Sequence, residues 1–202
     1  MLELFPEQET RFSPVIPNGD LFYYDSFISE AEGHHLFKIL SDRCPWQQDR
    51  ITVYGKTYDQ PRLTSLHAVH QKPYTYSNIT MHPNPMTKEL MEIKKRIETR
   101  TAHQFNSVLI NLYRNGQDSN GWHADDEPEL GKNPVIASLS LGQERYFHLK
   151  HKTLNDQRFK LKLTHGSLLI MGGELQHYWQ HQIPKTMRKI NPRINLTFRL
   201  IR

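Results

Sequence analysis

Cysteine is almost absent from this 202-residue chain. Cys44 stands alone, so no disulfide can close within the chain and no thiolate-rich zinc site can be built. Any metal must therefore be held by histidine and carboxylate. Long apolar runs are missing as well. No window approaches the roughly 18 consecutive apolar residues of a membrane-spanning helix, and "MLELFPEQETRF" has neither the basic stretch nor the apolar centre of a secretory signal. The expectation is a cytoplasmic protein, or a nuclear one in a eukaryote, with no membrane partner. No internal repeat or low-complexity tract is visible either, so the chain reads element by element.

What is present is ordinary for a folded domain. Hydrophobic residues make up 37% of the chain and charged residues 23%, which argues against disorder except at the ends. The length suits one compact domain with an elaborated end. A formal net charge of +5 suits a polyanionic partner such as nucleic acid, and it equally suits a mildly basic soluble protein. No feature asks for a protein partner, so a monomer is expected.

Residues 1 to 20, with Pro6, Pro14, Pro17 and Gly19, read as an irregular lead-in. A first helix starts at Ser29, whose hydroxyl can cap while Glu32 completes a capping box; Leu36, Phe37 and Leu40 form its buried stripe and Pro45 ends it. A second helix is expected to begin at Asn84-Pro85, with Met86, Leu90, Ile93 and Ile97 on one face. Its late cluster of Lys94, Lys95, Arg96 and Arg100 reads as a solvated face. Between the helices, "ITVYG", "SLHAV" and "YTYSN" read as a smaller sheet or lid. From Phe105 the period changes to two. Strands are expected over 105–113, 135–141, 144–150, 158–164, 167–171, 177–183 and 193–201, the pattern of a sandwich or jelly roll.

The tripeptide His123-Ala124-Asp125 decides little alone, because at this composition roughly one chain in two holds an H-x-D by chance. On an extended strand, however, residues two apart point the same way, so His123 and Asp125 can converge on one iron, manganese or zinc ion. "LQHYWQHQIP" offers two candidates for a third ligand, His177 and His181. Two histidines and a carboxylate leave coordination positions open for a co-substrate and O2. "NPRINLTFR" puts Arg193, Asn195, Thr197 and Arg199 on one strand face, a recess suited to a dicarboxylate. "VLINLYR" adds Asn111 and Tyr113 in the same way. A polar strand face turned to solvent would explain the same arginines.

"VLINLYRNGQDSNGWHADDE", "WQHQIPK" and "PRINLTFR" together resemble the three core motifs of the AlkB family, Fe(II)- and 2-oxoglutarate-dependent dioxygenases that demethylate nucleic acids. The likeness runs from about Phe105 to the C-terminus, and "PYTYSN" extends it backwards, nearest to the branch of eukaryotic DNA- and RNA-repairing homologues. The resemblance implies a mainly β fold, a double-stranded β-helix or jelly-roll core with N-terminal helices and a nucleotide-recognition lid. It divides the chain into an extension and lid over 1–104 and a dioxygenase core over 105–202, within one compact domain. It makes His123, Asp125 and His181 the iron ligands and leaves His177 a neighbour. It assigns Arg193 to the distal carboxylate of 2-oxoglutarate, helped by Tyr113 and Asn195, and Arg199 and Asn111 to the carboxylate nearer the iron. For the substrate it implies Tyr76 and His123 sandwiching a flipped base, Tyr74 and Ser77 beside them, and Glu127 facing the exocyclic amine. Asp126 and Arg62 would support the lid.

The activity so implied is oxidative demethylation of 1-methyladenine and 3-methylcytosine in DNA, and beyond it RNA, with release of formaldehyde, succinate and CO2. Two other readings stay open at this point. One is an oxygenase of the same chemistry acting on a protein or small molecule, and the other a basic β-sandwich that binds nucleic acid without catalysis.

Overall fold

The computed structural model describes residues 11–53, 56–76 and 79–202, with 51–53, 56, 74–76 and 79 described as backbone. The elements run β1 (Arg11–Phe12), β2 (Asp20–Tyr24), α1 (Glu30–Arg43), β3 (Arg50–Val53), β4 (Lys56–Asp59), β5 (Leu63–Ala68), β6 (Tyr74–Tyr76), β7 (Ile79–Met81), β8 (Asn84–Pro85) and α2 (Lys88–Thr101). The second half follows with β9 (Ser107–Tyr113), β10 (Asn120–His123), a 3-10 turn at Pro128–Leu130, β11 (Ile136–Gly142), β12 (Arg145–His151) and β13 (Arg158–Leu163). The chain closes with β14 (Leu168–Gly172), α3 (Leu175–Tyr178), β15 (Trp179–Ile183) and β16 (Arg193–Arg199).

Two sheets face each other in a jelly roll. The larger has the order β1-β2-β14-β11-β16-β9-β5-β8 and the smaller β10-β15-β12-β13, while β3-β4 and β6-β7 are separate hairpins. Alternation along the strands divides the apolar residues into two cores. Leu109, Phe147, Leu149, Met171 and Trp179 fill the space between the sheets. Ile110, Leu139, Ile194, Leu196 and Phe198 point the other way, onto Leu36 and Leu40 of α1 and Leu90, Ile93 and Ile97 of α2. The larger sheet is thus covered on both faces.

The helices start where local chemistry satisfies their first amides. The Glu32 amide donates to Ser29 Oγ over 3.3 Å, as the cap signature predicts. Cys44 closes α1 through its amide to Leu40 O at 3.0 Å, and burial pushes its thiol up to about 12. The second helix departs from expectation. Its cap is Thr87, whose Oγ accepts from the Leu90 amide at 3.3 Å, because Asn84 and Pro85 are already engaged as β8 beside β5. Asn84 Nδ2 donates to Leu66 O and Pro85 O pairs with His67 Nδ1, which fixes both residues against β5, ahead of the helix start. Nor is the basic cluster of α2 wholly solvated. Lys94 pairs with Glu98 at 2.9 Å, both side chains mostly buried, Arg96 pairs with Glu32, and the Arg100 guanidinium lies 4.7 Å from the centre of the Tyr24 ring.

"SLHAV" is a second correction. β5 belongs to the larger sheet, paired along its length with β9, and only the flanking hairpins stay outside the two main sheets. The end of the lead-in contributes as well, since β2 pairs β14 from Leu168↔Tyr24 to Gly172↔Asp20. A third concerns residues 177 and 178, which close the short helix α3 before the strand begins at Trp179.

Candidate active site

The polar face of β16 is not turned to solvent. Arg193, Asn195, Thr197 and Arg199 are all buried, and the register sets Arg193 opposite Tyr113 and Asn195 opposite Asn111. On the facing sheet, β10 and β15 pair His123 directly with His181. Asp125 follows β10 in an irregular segment, so the carboxylate is not placed by strand alternation as the tripeptide suggested. The three side chains nonetheless converge: one ligand atom from each of His123, Asp125 and His181 lies within 4.8 Å of the others. His181 Nε2 stands 3.9 Å from Asp125 Oδ2, and the two imidazole centres are 4.2 Å apart.

Each ligand is held in the form a divalent ion requires. Burial, with His123 beside it, pushes His181 down to about 3, so the ring is neutral at physiological pH. Burial lowers His123 too, and the charges of Arg62 and Arg199 add to that effect against the opposing pull of Asp125. Burial, the largest single influence on Asp125, would raise it, but the Arg199 guanidinium, donating to Oδ1 at 2.8 Å, together with His181 and His123 outweighs it and holds the carboxyl at about 2. His123 Nδ1 donates to Gly121 O at 2.7 Å, which fixes the tautomer with Nε2 unprotonated, and that Nε2 accepts from Asn120 Nδ2 at 3.1 Å. His181 Nδ1 has no hydrogen-bond partner among the described residues.

Beside the triad lies a cationic recess. Arg193 is 1% exposed and donates to Ser140 Oγ at 2.9 Å, yet its Nε and Nη1 have no hydrogen-bond partner among the described residues. Burial, with Arg145 nearby, lowers it to about 10 against the contrary influence of Tyr113, so it stays charged. A buried guanidinium with unsatisfied donors is costly unless an anion completes it. Among the described residues lining this cavity, Asp125 is the one acid, against Arg193 and Arg199. A roomier hollow of about 800 Å³, lined by Glu30, His34 and His165 among others, brings no such triad together among the described residues.

Other expected residues fall in different places. Arg62 is buried and donates from Nε to Asn111 Oδ1 at 2.9 Å, so it braces the recess. The Asn195 amide is engaged by Ser138, Leu139 O and Thr197. His177 bonds Asn133 Oδ1 at 2.9 Å, away from the triad. Glu127 lies half-buried before the 3-10 turn, and Asp126 pairs with Lys152 at 3.4 Å. Tyr74 and Tyr76 lie on β6, described as backbone, and Ser77 lies outside the described residues. Ser138, Ser140, Asn120 and Gln176 were not anticipated. The two serines alternate with Ala137 and Leu139 in "IASLSLG", and that period placed them on the inner face.

A model of the 2OG-Fe(II) oxygenase superfamily matches residues 20–199. The chain belongs to this superfamily. Among curated relatives, human alpha-ketoglutarate-dependent dioxygenase alkB homolog 3 is 44% identical over 187 residues, covering 88% of this chain and 65% of the relative. Bovine DNA oxidative demethylase ALKBH2 is 35% identical over 188 residues, covering 88% and 68%. The chain thus spans slightly under two thirds of the human relative's length. The solved structure of OsALKBH1 has the same fold, with a TM-score of 0.67 at 15% identity over 93% of this chain and 99% of its own. The superfamily works with Fe(II), 2-oxoglutarate and O2. The residues fit both bound groups: neutral imidazoles and an anionic carboxylate for the ion, and the unpartnered Arg193 donors for a dicarboxylate.

Proposed function

We propose that the protein removes methyl groups oxidatively from alkylated bases of the 1-methyladenine and 3-methylcytosine type in DNA, and also in RNA. The observation that carries this is the His123–Asp125–His181 cluster, with Asp125 and His181 buried and His123 half-buried, standing beside an anion recess built on Arg193. The kinship to alkB homolog 3, an alpha-ketoglutarate-dependent dioxygenase, supports the chemistry, and that to ALKBH2, a DNA oxidative demethylase, supports the choice of substrate.

His123, Asp125 and His181 would hold Fe(II). Arg193 would bind the distal carboxylate of 2-oxoglutarate, with Tyr113 against its guanidinium and Asn195 keeping the strand face in order. Asn111, braced by Arg62, would meet the carboxylate nearer the metal, as would Arg199 while it holds Asp125. Held by these residues, Fe(II) with 2-oxoglutarate and O2 would supply oxidation of the N-methyl group to a hydroxymethyl group that is lost as formaldehyde, with succinate and CO2 as the other products. Burial of the ligands keeps bulk water from that chemistry. Tyr76, Tyr74 and Ser77 of the hairpin would receive the flipped base against His123, and Glu127 would favour the positive charge that such methylation places on it.

The boundary at 104/105 then separates labour more than domains, recognition before it and chemistry after it. No helix among the described residues is long and apolar enough to cross a membrane. We read the protein as a monomer of the cytoplasm or nucleus.

The test is mass spectrometry of a 1-methyladenine or 3-methylcytosine oligonucleotide incubated with the protein, Fe(II), 2-oxoglutarate and O2, beside His181→Ala. The expected result is loss of one methyl group with matching formaldehyde, abolished in the variant. Steady succinate production over an unchanged oligonucleotide would overturn the substrate and leave the oxygenase.

A further inference from the structure

Asp125 is placed differently from the two imidazoles beside it. Its partners His123 and His181 sit on paired strands, whereas Asp125 lies past the end of β10, where no ladder takes its backbone amide. A buried amide must still find an acceptor. Here the acceptor is a side chain 51 residues away: the Asp125 amide donates to Gln176 Oε1 at 2.9 Å. Gln176 is 1% exposed and belongs to α3, the turn that leads directly into β15 and His181. Its Nε2 faces Met171 Sδ at 3.9 Å, which leaves the carbonyl oxygen for Asp125. Lys152 fastens the same joint from outside, donating from Nζ to Gln176 O at 3.1 Å and to Asp126 Oδ2 at 3.4 Å.

We propose that Gln176, with Lys152 behind it, is the positioning residue of the metal centre: it fixes the backbone of Asp125 to the segment carrying His181, so that the carboxylate meets the two imidazoles ready-made. The inference rests on the metal-site reading above. Gln176 acts through the backbone of Asp125 and need touch neither the ion nor a substrate. Its apolar replacement should leave the amide unpaired and let the carboxylate segment shift. Arg199 would still hold one carboxylate oxygen, and the anion recess at Arg193 would be untouched.

The experiment uses the full chain and Co(II) as the probe. The dissociation constant and the metal-induced rise in melting temperature are compared for the wild type, Gln176→Met, Gln176→Glu and Lys152→Met. Outer partners of metal ligands typically change affinity about 10- to 100-fold. Gln176→Met is expected to weaken Co(II) binding by that order and to shrink the metal-induced shift, measured against its own metal-free baseline. Gln176→Glu, which keeps an oxygen for the Asp125 amide, should recover most of both. A merely structural glutamine would lower the metal-free melting temperature and leave the shift intact. That result, or Co(II) affinity in Gln176→Met within about twofold of wild type, overturns the inference. Should Gln176→Met fail to fold, the partly exposed Lys152→Met carries the same decision, with weaker Co(II) binding for the inference and unchanged binding against it. A wild type that binds no Co(II) would overturn the metal-site reading itself.

Discussion

Replacing Arg193 by leucine removes the fork on which the dicarboxylate reading depends. Each hydrogen bond to a charged group is worth about 1.5–3 kcal/mol, so the affinity for 2-oxoglutarate should fall on the order of 100-fold or more, with Co(II) binding unchanged. Titration calorimetry measures both. Arg193→Lys should recover the charge without the fork and fall between. Because Nε and Nη1 are buried without partners, the leucine variant should melt no lower than the wild type when ligand is absent. His181 supplies a second prediction. Its folded value of about 3 lies below the ordinary 6.5, so the unfolded chain takes up a proton that the folded chain refuses. The stability of the metal-free protein should therefore fall as pH drops below about 6.5, by up to about 1.4 kcal/mol per unit for this one group. Asp125, held at about 2, adds to the loss only below its ordinary 3.8. Melting curves between about pH 7 and about pH 4.5 should show the slope, and His181→Leu should flatten it.

Two helix contacts can be tested in the same way. Thr87→Ala should cost about 1 kcal/mol as the loss of a true cap, whereas Asn84→Ala should lower stability without fraying α2; amide exchange over residues 88–91 separates them. Gly33 packs against the His165 ring, and a methyl group there would overlap Nε2. Gly33→Ala is expected to cost about 1–3 kcal/mol, relieved when His165→Ala is added, as thermal melting would show. Legibility in the sequence followed how each element is covered. β12, β13 and β16 alternate inward and outward, and period two showed which side chains meet the cavity. β5 is buried on both faces like β16, and the short alternation in "SLHAV" does not say which sheet it joins. Asn84-Pro85 and Thr87 both carry start signals three residues apart, and only the pairing with β5 decides between them. Asp125 was found by residue type, yet what holds it in place was not visible. The Gln176 contact spans 51 residues without a period to announce it.

At the scale of the whole molecule, the boundary at 104/105 does not mark a unit that stands alone. β5 lies against β9 and β2 against β14, while both helices cover the outer face of the larger sheet. Residues 105–202 by themselves should therefore lack the cooperative melting transition and near-ultraviolet dichroism of the full chain. A cooperative transition in that fragment would show the extension to be dispensable to the fold. Cys44, closing the first helix at the edge of the outer core, bears on the conditions the proposed activity would meet. Alkylating agents attack thiolates, and burial holds this thiol well above its ordinary range, so it stays protonated at neutral pH. The chain thus offers almost no thiolate to the reagents that methylate bases, and its single sulfhydryl should stay unmodified under the exposure that creates the lesions.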